Sequence, residues 1–97
     1  MRVLSIKTLS DYWVQHADSE QPLKAWYAEA KAASWKTSHE VVQRFRSADP
    51  IGNNRVVFNI SGNKYRLVVG MNYTVGICFI KFIGTHAEYD KIDAETV

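Results

Sequence analysis

The 97 residues, 46% hydrophobic and 23% charged, suffice for one domain with one core and leave no room for a second. A formal net charge of +2 is too small to name a partner class, and a single cysteine excludes an internal disulfide framework. No apolar run approaches the ~20 residues of a membrane span and Met1-Arg2 does not lead into a signal peptide, so a cytoplasmic protein is expected.

In chain order, residues 1–6 alternate enough to form a short strand that joins the sheet described below. Thr8 followed by Asp11 marks a helix start, with Leu9, Tyr12, Trp13 and Ala17 on one face and an end near Asp18. Pro22 fits the first turn of a second helix, whose apolar stripe is Leu23, Trp26, Tyr27, Ala30 and Ala33. These two helices should form a hairpin laid on the sheet. Trp13 and Trp26 lie on the stripes and read as core, whereas Trp35 lies beyond them and stays open as a base-stacking platform. Thr37-Ser38-His39-Glu40 has capping-box spacing and starts a short helical turn, and residues 49–54 read as a loop.

The densest strand signal follows. Residues 55–60, 64–69 and 77–83 are rich in Val, Ile, Phe and Tyr and predict an antiparallel meander. Ser61-Gly62-Asn63 makes the first turn, with positive φ expected at Gly62 or Asn63. Thr85 and Glu88 then stand at capping-box spacing, so a short helix follows the third strand directly. The expected fold class is α+β, one domain over residues 1–97: an antiparallel β-sheet carrying an N-terminal helical hairpin and a short C-terminal helix.

Charge is distributed unevenly along this plan. Residues 36–86 carry seven Lys or Arg against two acids, a balance of +5, while the tail from residue 87 stands at −3. A basic middle that coincides with the sheet points to a polyanion, although an ordinary solvated surface has the same composition. No GxxxxGK[ST], GxGxxG, CxxC, HExxH or nucleophile elbow occurs, and His16, His39 and His86 lack metal-ligand spacing. What remains is a cluster at one sheet edge. Lys64 and Arg66, two apart, should share a face, and His86 and Tyr89, three apart on a helix, should meet. Such cations beside a His and a Tyr suit phosphodiester chemistry. The competing structural reading ties Arg66 to a surface carboxylate and packs Tyr89 as a helix anchor.

The run RVVFNISGNKYRLVV followed by ICFIKFIGTHAEYDKI resembles the core pattern of the HigB family of toxins, relatives of RelE from bacterial type II toxin–antitoxin systems. The VFN strand, the GNxxR hairpin and the THxEYD helix start carry the likeness, over roughly the C-terminal half. It implies a RelE-like fold, a ribosome-dependent mRNA endoribonuclease, and inhibition by a HigA-like antitoxin with a helix-turn-helix domain, through which alone DNA would be contacted. Asn63 and Arg66 match GNxxR; His86, Tyr89 and Asp90 match THxEYD; Lys81 stands where relatives are also basic. The expected catalytic set is Arg66, His86, Tyr89 and Lys81, with Lys64, Asn63, Arg55 and Asp90 along the RNA path and with no metal, no cofactor and no membrane. A non-catalytic RNA-binding module and a toxin of this fold aimed at a protein target are the alternatives.

Overall fold

The computed structural model describes residues 1–97. Its elements run β1 (Arg2–Leu4), α1 (Lys7–Gln15), a 3₁₀ turn (Ala17–Ser19), α2 (Glu20–Ala32), α3 (Ser38–Arg44), β2 (Asp49–Ile51), β3 (Arg55–Ile60), β4 (Tyr65–Asn72), β5 (Ile77–Thr85) and α4 (His86–Tyr89). The strands make one sheet in the order β1-β5-β4-β3-β2. The expected meander is its centre, since β3, β4 and β5 pair antiparallel in sequence. In the β3–β4 turn, positive φ falls on Gly62 (65°), as expected, and also on Ser61 (55°). A small residue and a glycine take this left-handed turn, which suits the twist of the flanking strands.

Two expectations change at the sheet edges. β1 joins β5 in parallel, with Arg2 opposite Ile77, so the sheet is mixed and not wholly antiparallel. Asp49–Ile51 is an edge strand against β3, not a loop. Pro50 is tolerated there because an edge strand leaves one side of its backbone without a ladder to donate into. The loop is shorter: Asn53 and Asn54 turn it with φ of 63° and 55°, a region that asparagine tolerates. α1 also starts earlier than Thr8. Ile6 is its N-cap and offers no side-chain acceptor, while Asp11 pairs with Lys7 one turn away at 2.8 Å. α1 ends at Gln15, and the chain passes through the 3₁₀ turn straight into α2.

The core lies between one sheet face and the helices. Leu9, Leu23, Trp26 and Ala30 are buried against Phe58, Leu67 and Val69 within a single cluster of 18 residues. Trp26 meets the Phe58 ring edge-on at 5.3 Å, and Phe45 joins them from beyond α3. Trp35 is 6% exposed and packs against Phe45, so it offers no platform for a base. Cys78 is fully buried, and burial pushes its thiol up to about 11, which leaves it an inert core residue.

The opposite sheet face is covered at one end by α4 and the residues after it. Val57 and Val68 point to that side and are still buried. Arg55, also on that side, donates to the carbonyl oxygens of Ala94 (2.9 Å) and Val97 (2.5 Å), and Asn53 donates to that of Glu95 (2.9 Å). The C-terminal residues are therefore strapped to the β2–β3 end of the sheet.

Candidate functional site

The site grows from one register. Because Ile60 pairs with Tyr65, Asn59 falls opposite Arg66, and on the next strand Arg66 faces Gly84. Gly84 carries no side chain, and a Cβ there would lie 2.5 Å from Phe82 Cζ and 3.1 Å from Glu88 Cβ. The glycine thus lets the Phe82 ring and the first turn of α4 sit close to the sheet beside Arg66.

α4 is fixed in three ways. Thr85 Oγ1 accepts from the Glu88 amide (3.1 Å) and Glu88 Oε1 accepts from the Thr85 amide (2.7 Å), completing the capping box. The His86 amide donates to the carbonyl of Lys64 at 3.2 Å, tying the helix start to the turn just before β4. The Tyr12 hydroxyl donates to Glu88 Oε1 at 3.2 Å, tying it to α1. The Thr85 amide, more than any other group, holds the Glu88 carboxyl below its ordinary value, while burial and the Glu88 charge push the Tyr12 hydroxyl well up.

Held this way, α4 brings His86 and Tyr89 to Arg66. Arg66 Nη2 lies 3.5 Å from His86 Nε2, and its guanidinium lies 6.0 Å from the centre of the Tyr89 ring. Arginine has only donors, so a hydrogen bond between the two requires Arg66 to donate to an unprotonated His86 Nε2. Arg66 Nη1 donates to Asn59 Oδ1 and, at 2.9 Å, to Asn63 Oδ1. No carboxylate is salt-bridged to Arg66, so the expected alternative of a surface ion pair does not hold. Its charge is oriented by two neutral amides and is held in no ion pair.

The other expected residues lie apart from this group. Lys64 precedes β4 in the turn, where the pleat that would align it with Arg66 has not begun, and its ammonium is paired with Asp18. Tyr65 donates to the same carboxylate, and these two bonds, that of Lys64 first, draw the Asp18 carboxyl below its ordinary range. Arg55 is 7% exposed, and its guanidinium donates to the carbonyl oxygens of Ala94 and Val97, away from Arg66. Lys81 is exposed over Phe79 (5.5 Å) and Gly70, four residues along β4 from Arg66 and hence ~13 Å away at about 3.3 Å per residue. A bulge between Val68 and Val69 gives β5 one extra residue, Lys81, whose side chain lies over Gly70 on the same sheet face as Arg66 but farther along the strands. Asp90 is exposed at the end of α4, where its amide donates to the His86 carbonyl. No three His, Cys, Asp or Glu side chains gather in metal-binding proximity.

Asn59 and Tyr12 were missed in the sequence. Asn59 could have been found from the hairpin turn, because closing 60 on 65 puts 59 opposite 66. Tyr12 could not, since its hydroxyl reaches Glu88 across 76 residues from a position that reads as core.

With this geometry in hand, residues 19–92 match the family model HigB_toxin, the RelE-like toxic component of a toxin–antitoxin system. The chain belongs to the HigB toxin family. It is 26% identical over 94 residues, 95% of its length and 91% of the relative's, to the mRNA interferase HigB of Escherichia coli O6:H1 (strain CFT073). The family match extends into α2, well beyond the C-terminal half that carried the resemblance. The mixed α+β architecture, helices on a compact sheet, agrees with a RelE-like toxin, and a toxin of such a system has a cognate antitoxin. No helix is long and apolar enough to cross a membrane.

Proposed function

We propose that this toxin is an mRNA interferase, an endoribonuclease that cuts mRNA on the ribosome. The observation that carries the proposal is the convergence of Arg66, held in no ion pair, with His86 and Tyr89 on one face of α4. The ribose 2′-OH attacks the adjacent phosphorus, the O2′–P bond forms and the P–O5′ bond breaks, leaving a 2′,3′-cyclic phosphate and a 5′-OH. Arg66 stabilises the charge that builds on the phosphoryl oxygens, held ready by Asn59 and Asn63. His86 and Tyr89 move the two protons, one off the 2′-OH and one onto O5′. No covalent enzyme intermediate and no metal ion enters this scheme. A net charge of only +2 fits an enzyme that takes its grip on RNA from the ribosome. The antitoxin is proposed to be a HigA-like helix-turn-helix protein that covers or distorts this face.

Incubating the protein with naked mRNA and with translating ribosomes tests the reading. Cleavage with cyclic-phosphate ends on ribosomes alone is expected. Stoichiometric RNA binding without cleavage would favour a binding module instead, although the burial of Trp35 removes the aromatic that such a module was expected to use.

A further inference from the structure

Beside Arg66 the covered sheet face leaves a depression of about 230 Å³, lined by Ser47, Asp49, Val57, Asn59, Arg66 and Tyr89. Val57 is an apolar floor, and the Tyr89 ring is a wall on which a planar ring can stack. The Asn59 amide is already used, accepting from Arg66 and donating to the Ser47 carbonyl at 3.2 Å. Asp49 takes part in none of the four ion pairs, so its carboxylate, like the Ser47 hydroxyl, is free to meet a ligand.

A carboxylate next to a phosphate-binding arginine opposes the RNA backbone, so its use has to lie elsewhere on the nucleotide. We infer that this depression is a nucleobase subsite selecting guanine beside the scissile phosphate, an inference that rests on the endoribonuclease reading above. The chemistry of the base edges decides which base. A carboxylate only accepts hydrogen bonds, and guanine presents two adjacent donors, N1–H and the N2 amine, on its Watson–Crick edge. Adenine and cytosine each set one amine beside a ring-nitrogen acceptor that faces the carboxylate's negative charge. Uracil sets its single N–H between two carbonyl oxygens. Ser47 supplies a hydroxyl that donates or accepts at the rim.

Two measurements test the assignment. Guanosine and adenosine monophosphate, which share sugar and phosphate, are titrated into isotope-labelled protein and followed by NMR at Ser47, Asp49 and Tyr89. Guanosine monophosphate is expected to bind about tenfold tighter, the usual worth of a good bidentate base contact. Asp49→Asn, an exposed isosteric change whose amide offers one donor and one acceptor, should remove or reverse that preference. In parallel, mRNAs differing only in the bases flanking the cleaved bond are cut on ribosomes by wild type and Asp49→Asn, and the guanine preference should fall with the substitution. Equal binding of the two monophosphates, no binding at these residues, or a preference unchanged in Asp49→Asn overturns the subsite. Cleavage of no template at all would instead sink the endoribonuclease reading, and the monophosphate titration would still decide the pocket.

Discussion

Arg66 is the residue from which the rest of the site is measured, and its surroundings make a specific forecast. Two amide oxygens aim the guanidinium without neutralising it, so Arg66→Ala should abolish growth arrest while the melting temperature moves little. Equal arrest by wild type and variant would remove it from the mechanism. If His86 and Tyr89 carry the protons, His86→Ala and Tyr89→Phe should each slow single-turnover cleavage on ribosomes by roughly 10² to 10⁴, with ribosome binding retained. Rates that fall only in step with stability would assign the pair to the fold. Lys81 separates two levels of inference. Its charge and strand suggested a part in catalysis, but it sits beside Gly70 and Phe79, away from Arg66. Lys81→Ala should therefore leave the single-turnover rate within about threefold of wild type. A drop comparable to that of Arg66→Ala would show that substrate brings the two cations together.

At the scale of elements, α4 is the part that turns one end of the central strands into a site, and it has only four residues. So short a helix is not stable by itself and depends on its cap and its tertiary ties. Thr85→Ala removes the side-chain acceptor and should cost roughly 1 kcal/mol, with a loss of cleavage larger than that stability change explains. Glu88 gives the pH dependence. Its carboxyl is held below the ordinary 4.5, chiefly by the Thr85 amide, so its contribution is present above that value and is lost as pH falls through the lower folded value. Amide exchange in residues 86–90 should rise on acidification below about pH 4.5, and Glu88→Gln should flatten that response; identical acid profiles for the two proteins would overturn the assignment. This capping box was fully legible, because its chemistry is contained in four consecutive residues. The start of α1 was not. Thr8 and Asp11 imitate a cap, but the Ser5 turn, at a φ of 67°, and the Lys7–Asp11 pair accompany a cap two residues earlier, at Ile6. β2 was lost for a related reason: Asp-Pro and Gly-Asn-Asn are turn signals, and only pairing with Val56 and Val57 makes Asp49–Ile51 a strand.

For the whole molecule, the legible part is what local periodicity encodes, and the illegible part is what distant segments do to each other. The meander, both helices and the capped α4 follow from patterns within a few residues. The parallel docking of β1, the strap on Arg55 and the Tyr12–Glu88 bond join residues more than 35 positions apart, which no window of sequence contains. Helices and sheet also share one core, and that has a thermodynamic consequence. Leu23 on α2 is fully buried within the same cluster as Phe58 and Leu67 on the sheet, so helices and sheet should unfold together. Leu23→Ala should cost about 2 to 5 kcal/mol, a large part of the 5 to 15 kcal/mol typical of a domain. The buried Trp26 and Trp35 report the core by fluorescence, while far-ultraviolet circular dichroism reports the backbone. In denaturant the two midpoints should coincide in the wild type and shift together in Leu23→Ala. Toxicity in cells should fall with them, although cleavage by the folded fraction of the variant, normalised for that fraction, stays at the wild-type rate. Separate midpoints would mean that the helical layer melts off the sheet independently. In that event the α1–α4 bond through Tyr12 and Glu88 would break first, and the site would be lost before the sheet.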